Sequence, residues 1–503
     1  MQQTQCKEVV PARQYKTPYF DALLDYVDQK VISFHCPGHK HGKGVHERLR
    51  EYLGANTLAL DLTQILGLDD LQQPTGVLKE AHELAAEAYG ADRSYFLVNG
   101  SSSGNHSMLL AVCNPGDEVI LPRNAHKSVS SGLIFSGVIP RYMMPEFDDE
   151  LQVDHTVIVE TVKKALLDYP KAKAVMIVSP TYYGAAADLK SIAELCHKDG
   201  KALLVDEAWG PHLHFHPDLP MSATASGADL VVNSTHKLIG ALSQSSMLHF
   251  RKGIVDRGRL EAVIRLFIST SPSCLLLASL DVARMQMVTE GEKLLENTIS
   301  LADELRHELN AIHGLYCWGK EIVGRPGVYA WDPTKLTVSI KGLGLTGYDI
   351  EKIMRYEYYI QLELAELFNI IALITIGTTR KEGNKLVEAF KSIANAIKNG
   401  ADGKTRRENI LKDYKKVTFP DWPPQRLSPR EAFVAPHRVV PIKDACGMIS
   451  TELVTPYPPG IPIICPGEEL TKDLINYLFV EIEAGSRITG LADPTFETIR
   501  VVK

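Results

Sequence analysis

Apolar positions along the chain switch repeatedly between two periods. KEAHELAAEAYG (79–90) carries them at helical spacing and stops at Gly90, whereas SYFLV (94–98) is a short apolar run of strand length. GNHSMLLAVC (104–113) returns to the helical period and DEVIL (117–121) to the strand period. AVMIVS (174–179), a helix over 188–198, ALLVD (202–206) and DLVVN (229–233) continue the alternation. Each strand-length run is apolar on both faces, which predicts a buried, mostly parallel sheet covered by helices, an α/β fold. Leu280, Ala283, Met287, Leu294, Leu301, Leu305 and Leu309 keep near-helical spacing and predict one long helix joining two domains.

Punctuation sets the domain boundaries. Residues 1–72 read as an irregular N-terminal arm, with FHCPGHKHGKG (34–44) too rich in Pro and Gly for either regular structure. A large domain spans 73–330. A small α/β domain spans 331–396, with KLTVSI (335–340), a helix from Asp349 and IIALITI (370–376). A charged, Pro- and Gly-rich linker covers 397–430, and a C-terminal α+β domain covers 431–503.

Composition narrows the class without naming a function. The 503 residues are 45% hydrophobic and 23% charged, which excludes disordered and collagen-like chains. With 54 Lys+Arg against 61 Asp+Glu, the formal charge of −7 offers no general surface for nucleic acid or an anionic membrane. No stretch approaches the roughly 20 apolar residues of a membrane span, and the N-terminus lacks the apolar core of a leader, so a cytoplasmic protein is expected. Eight scattered cysteines contain no CxxC pair and fit a reducing compartment.

The chemistry lies where strands end. VVNSTHKLIG delivers Ser234, Thr235, His236 and Lys237 just past its strand, and in α/β folds ligands bind outside the carboxyl ends of strands. Taken alone, Lys237 is better explained as a solvated lysine at a strand end. Other strand ends change that weighing: ALLVD ends at Asp206, followed by Glu207, Ala208 and Trp209; SYFLV leads into NGSSSGNHS; DEVILPRNAHKS brings His126 to the rim. A Gly/Ser turn opening a helix supplies N–H groups and hydroxyls suited to a phosphate, although Ser101, Ser102 and Ser103 could equally be helix caps. An anion cradle, an acid, an imidazole and a lysine on one rim meet the requirements of pyridoxal 5'-phosphate.

NGSSSGN, RNAHKS, VDEAWGPH, NSTHK, STSPS (269–273) and PPGIPIICPGEE (458–469) together resemble the fold-type I ornithine/lysine/arginine decarboxylases of bacteria. The resemblance runs from TPYFDAL (17–23) to the end. It implies the aspartate aminotransferase-like fold and pyridoxal phosphate bound in the large domain. Lys237 resembles the Schiff-base lysine, Asp206 the partner of the pyridine nitrogen, and His126 the imidazole stacked on the ring. Ser101, Ser102 and Ser234 resemble the phosphate ligands; Ala208 and Trp209 fall beside the ring; His236 matches a histidine that can assist proton transfer. Thr270 and Ser271 match a segment that reaches the neighbouring subunit's cofactor, implying an obligate homodimer, with a dimer or tetramer expected. Glu468 resembles the acid facing the cationic end of a basic amino-acid substrate, weighed equally against a plain surface glutamate. With TPYFDAL at residue 17, the chain resembles the short form without the N-terminal wing domain. That form implies arginine decarboxylation to agmatine in polyamine biosynthesis, with lysine and ornithine (giving cadaverine and putrescine) as alternatives. Another pyridoxal phosphate reaction and a non-catalytic relative are the rival readings.

Two patterns compete with this one. KGLGLTG (341–347) has Gly342, Gly344 and Gly347 at dinucleotide-binding spacing, but its segment is too short for a dinucleotide domain, and a strand-to-helix turn is expected. His212, His214 and His216, and separately His35, Cys36, His39 and His41, could hold zinc, yet neither spacing forces a ligand set and no metal is expected.

Overall fold

The computed structural model describes residues 10–399, 421–456 and 460–503. A seven-stranded sheet forms the centre. Its order is β1 (Arg93–Leu97), Ser246–Phe250, Leu230–Asn233, Ala202–Asp206, Ala174–Val178, β2 (Glu118–Pro122) and β3 (Ile139–Met143). Ser246–Phe250 is antiparallel to both of its neighbours, and the remaining pairs are parallel. Six strands therefore point the same way and deliver their carboxyl ends to one rim.

The unbroken apolar runs follow from burial on both faces. Leu121, Met176, Leu204 and Val232 pack with Met108 and Leu109 of α4 (Gly100–Val112) on one side. Ile120, Val175, Leu203 and Val205 pack with Val162, Leu166 and Ile192 on the other. Successive strand residues point to opposite faces, so each strand feeds two cores.

The arm is more ordered than its composition predicts. It contains α1 (Pro18–Asp28) and α2 (Glu47–Leu60), while 34–44 forms neither helix nor strand. Buried Arg284 holds the arm down by donating to the Gln14 and Lys16 carbonyls at 2.6 Å each and to Asp281 at 2.8 Å. Asp281 in turn accepts from the Tyr19 N–H at 2.9 Å. The arm residues lie over 260 residues from Asp281 and Arg284, beyond the reach of local pattern.

The long helix is present as Cys274–Asn310, 37 residues and about 55 Å long. It leads into an antiparallel sheet ordered Tyr316–Cys317, Lys335–Ser339, Asn369–Leu373 and Leu364–Ala365. This sheet takes in Tyr316–Cys317, upstream of residue 331. The glycine-rich KGLGLTG is a one-turn 3-10 segment at Lys341–Leu343 followed by the helix Gly347–Glu357, capped by Thr346 and Asp349. A Cβ on Gly347 would lie 2.1 Å from the Glu366 carbonyl oxygen, so backbone packing accounts for that glycine.

Most of the linker expected over 397–430 lies outside the described residues. The C-terminal domain pairs His437–Pro441 with Thr498–Val502 and packs the helix Lys472–Ala484 onto Val454, Ile464 and Val501. No helix among the described residues is long and apolar enough to cross a membrane.

Candidate active site

The rim gathers side chains from four strand ends. β1 leads into α4, whose first turn carries Ser101 and Ser102. The first N–H groups of a helix have no carbonyl partner within it; here the Gly100 N–H donates to the Gln244 carbonyl at 3.0 Å, and Ser101 and Ser102 follow it. Ser234, directly after Leu230–Asn233, donates from Oγ to Ser101 Oγ at 2.8 Å. Two hydroxyls thus converge at a helix N-terminus.

Close packing of α4 on the sheet sets the next contact. A Cβ on Gly104 would lie 2.4 Å from Val232 Cγ2, so a glycine lets the helix approach. The adjacent Asn105 donates from Nδ2 to Asp206 Oδ2 at 2.8 Å and to Ser128 Oγ at 2.9 Å. Its buried Oδ1 has no partner among the described residues. Asp206 Oδ1 accepts from the Ala208 N–H at 3.1 Å. Burial raises the Asp206 pKa, against the opposing pull of Asn105, Lys237 and the Ala208 N–H.

His126 caps α5 (Lys127–Ser136) and bonds through Nδ1 to Ser128 Oγ at 2.8 Å. A chain His126–Ser128–Asn105–Asp206 results. Burial, with the charges of Lys237 and Lys127, lowers the His126 pKa to about 3, so the ring is neutral at physiological pH.

Lys237 lies in the single turn Thr235–Leu238. Its Nζ sits 3.8 Å from the centroid of the Trp209 ring. Among the described residues it forms no ion pair. Burial lowers its pKa to about 8, with Asp206 and Glu363 opposing the fall and Lys335 adding to it. The Trp209 carbonyl accepts from Lys335 Nζ at 3.0 Å, and Lys335 is ion-paired with buried Asp332. His236 bonds through Nδ1 to the Ser245 carbonyl at 2.7 Å. A carbonyl only accepts, so Nδ1 carries the proton and Nε2 keeps its lone pair.

The structure brings together Ser101, Ser234, His126, Asp206, Ala208, Trp209, His236 and Lys237. Thr270 and Ser271 stand apart on an exposed segment, where the Thr270 carbonyl accepts from Gln64 at 3.1 Å. Glu468 requires a correction. Rather than facing a ligand, it is fully buried and bound to Arg123 through both oxygens, at 2.8 Å each, and also accepts from the Cys465 N–H at 2.6 Å. Its charge is already neutralised within the chain. The imidazoles of His212, His214 and His216 diverge, toward Asp332, Ser222 and Glu296 respectively.

Sequence reasoning did not assign Asn105, Ser128, Glu363 or Lys335. Asn105 had a usable signal: four residues after Ser101, it lies on the same helix face as a proposed anion ligand.

The carboxyl-end rim, the sheet order and the lysine define the class: the pyridoxal-phosphate-dependent, aspartate aminotransferase-like type I fold. The solved lysine decarboxylase LdcF of Francisella novicida superposes with a TM-score of 0.84 at 22% identity, covering 98% of this chain and 82% of that one. Family models for the Orn/Lys/Arg decarboxylase major domain and C-terminal domain match residues 17–382 and 412–495. The chain is similar to the arginine decarboxylases of Bacillus subtilis (strain 168), 44% identical over 490 residues, and Bacillus anthracis, 45% identical over 490 residues. Each match covers 97% of this chain and 98% of the relative. The chain belongs to the Orn/Lys/Arg decarboxylase family and is a decarboxylase of that family.

Proposed function

We propose that this enzyme uses pyridoxal 5'-phosphate to convert L-arginine to agmatine and carbon dioxide, acting as a cytoplasmic homodimer in polyamine biosynthesis. The full-length identity to two arginine decarboxylases supports the choice of arginine. The observation that carries the cofactor reading is Lys237: a partly buried amine with a pKa lowered to about 8, without an ion-pair partner among the described residues, on one rim with Asp206, His126 and Ser101.

The residues present fit this cofactor. Ser101, Ser102, Ser234 and the N-terminus of α4 would hold its phosphate. Asp206 would hold a proton at the ring nitrogen, and Asn105 keeps that carboxylate in place. Neutral His126 would take one side of the ring without adding charge, with Ala208 and Trp209 bordering it. When bound, the cofactor supplies an electron sink for the substrate's α-carbon.

The chain's own groups supply the remainder. The neutral fraction of Lys237 is available as a nucleophile near neutral pH, and its ammonium form can return a proton to the substrate α-carbon. His236 Nε2 is the second candidate for that proton. Glu363, whose charge acts on Lys237, replaces Glu468 as the acid that would meet the substrate's guanidinium. Thr270 and Ser271, exposed in the single chain, would complete the partner subunit's site.

The purified protein with pyridoxal phosphate should show a visible absorbance band that borohydride removes. Lys237→Ala should lose both band and activity. A borohydride-sensitive band persisting in that variant would remove Lys237 from the mechanism.

A further inference from the structure

A cavity opens where the large, small and C-terminal domains meet. Three carboxyl groups line it, one from each domain: Asp154, Glu366 and Glu481. Among the described residues, no Lys, Arg or His does. Glu366 accepts from the Tyr183 hydroxyl at 2.6 Å and Glu481 from the Tyr348 hydroxyl at 2.9 Å. The Asp154 carboxyl has no hydrogen-bond partner among the described residues, and Arg123, a cation acting on it, is already bound to Glu468.

A separate observation concerns Asn369, which also lines the cavity and is 1% exposed. Its Nδ2 donates to the Leu151 carbonyl at 2.9 Å, but its Oδ1 has no partner among the described residues. An unpaired buried acceptor is costly, and here it adds to a wall made of acceptors. Desolvation raises Asp154 to about 7 and Glu366 to about 8, which a bound cation would reverse.

The wall also selects the type of cation. Phe147 presents aromatic surface, which attracts organic cations, whereas the Trp422 and Phe368 rings already carry Arg123 and Lys341 at 4.4 and 5.4 Å from their centroids. The three carboxylates do not converge within metal-ligand range of one another, so they suit a ligand with separated N–H donors. The cavity is distinct from the reacting site. Its lining includes none of Ser101, His126, Asp206, Trp209, Ser234 and Lys237.

We propose that this cavity is an accessory site for an alkyl-amine or alkyl-guanidine cation. Bound there, the ligand ties three domains together across carboxylates from each. The proposal holds whichever basic amino acid is decarboxylated.

The test uses agmatine as probe, titrated into the cofactor-loaded protein by calorimetry. No turnover is needed, so failure of the decarboxylation reading does not obscure the result. Asp154→Asn and, separately, Glu366→Gln should each weaken accessory-site binding at least tenfold while the visible absorbance band persists. Lys237→Ala should keep that binding. Two carboxamide variants with wild-type affinity, or complete loss of agmatine binding in Lys237→Ala, would overturn the assignment.

Discussion

Replacing Glu468 separates a clamp from a substrate contact. Arg123, at the start of the loop that carries His126, meets Glu468 in two 2.8 Å hydrogen bonds, with side chains 1% and 0% exposed. Arg123 also donates to the Pro462 carbonyl at 2.7 Å, and its guanidinium lies 4.4 Å from the centroid of the Trp422 ring. At this burial, solvent screening gives no relief. Glu468→Ala leaves a buried guanidinium with carbonyl acceptors alone, a change that costs roughly 3–5 kcal/mol. For a domain of 60–100 residues, the size of the C-terminal one, each kcal/mol lowers Tm by about 4–8 °C, so the transition involving it should fall by at least roughly 12 °C. The chain has several domains, so the first transition is the quantity to compare. Limited proteolysis should open the segment around 460–470 first. In the folded fraction, KM for the basic amino acid should change by no more than about threefold, because truncating a true cation partner costs more than 2 kcal/mol. A variant with unchanged Tm and KM raised about a hundredfold would refute the clamp.

Three further outcomes follow from the site. Asp206→Asn should still bind pyridoxal phosphate but turn over at least about a hundredfold more slowly, since a preorganised charge is lost; near-full kcat would refute its role at the ring nitrogen. Gly104→Ala must displace Val232 or Leu97, whose side chains would lie 2.4 and 3.1 Å from the new Cβ. That overpacking should cost about 1–3 kcal/mol, read as a lower Tm; an unchanged Tm would refute the close approach. Lys237 has a pKa lowered to about 8, so the amine gains its nucleophilic form as pH rises through that value. The rate at which cofactor-free protein takes up pyridoxal phosphate should therefore rise between pH 7 and 9 and level off above it, and a rise centred near 10.5 would contradict the burial argument. The same shift penalises the cofactor-free fold below about pH 8, and the penalty fades as pH rises from there to the unfolded lysine value near 10.4, because over that range only the unfolded chain holds the proton.

Local periodicity made the sheet and the long helix legible, because strands buried on both faces and a helix stripe are short-range patterns. The strand ends carrying Asp206, Ser234 and Lys237 were legible for the same reason. Long-range pairings were not. Ser246–Phe250 runs against its neighbours, which no feature of its own sequence specifies. The segment leading into α1 and its first turn are held by Arg284 and Asp281, and Glu468 acquires its role from Arg123, 345 residues away. His212, His214 and His216 alternate in sequence, but a 3-10 turn at Leu213–Phe215 sends each ring to a different partner. Motif resemblance identified which residues gather on the rim. It could not show that the acid of PGEE is already neutralised.

The most direct test supplies the cofactor-loaded protein with arginine, lysine and ornithine in separate reactions, measuring carbon dioxide release and identifying the amine by mass spectrometry. The proposed function predicts agmatine from arginine as the dominant product. Cadaverine or putrescine as the dominant product would contradict the substrate assignment, and no carbon dioxide from any of the three, with the visible absorbance band present, would contradict decarboxylation itself.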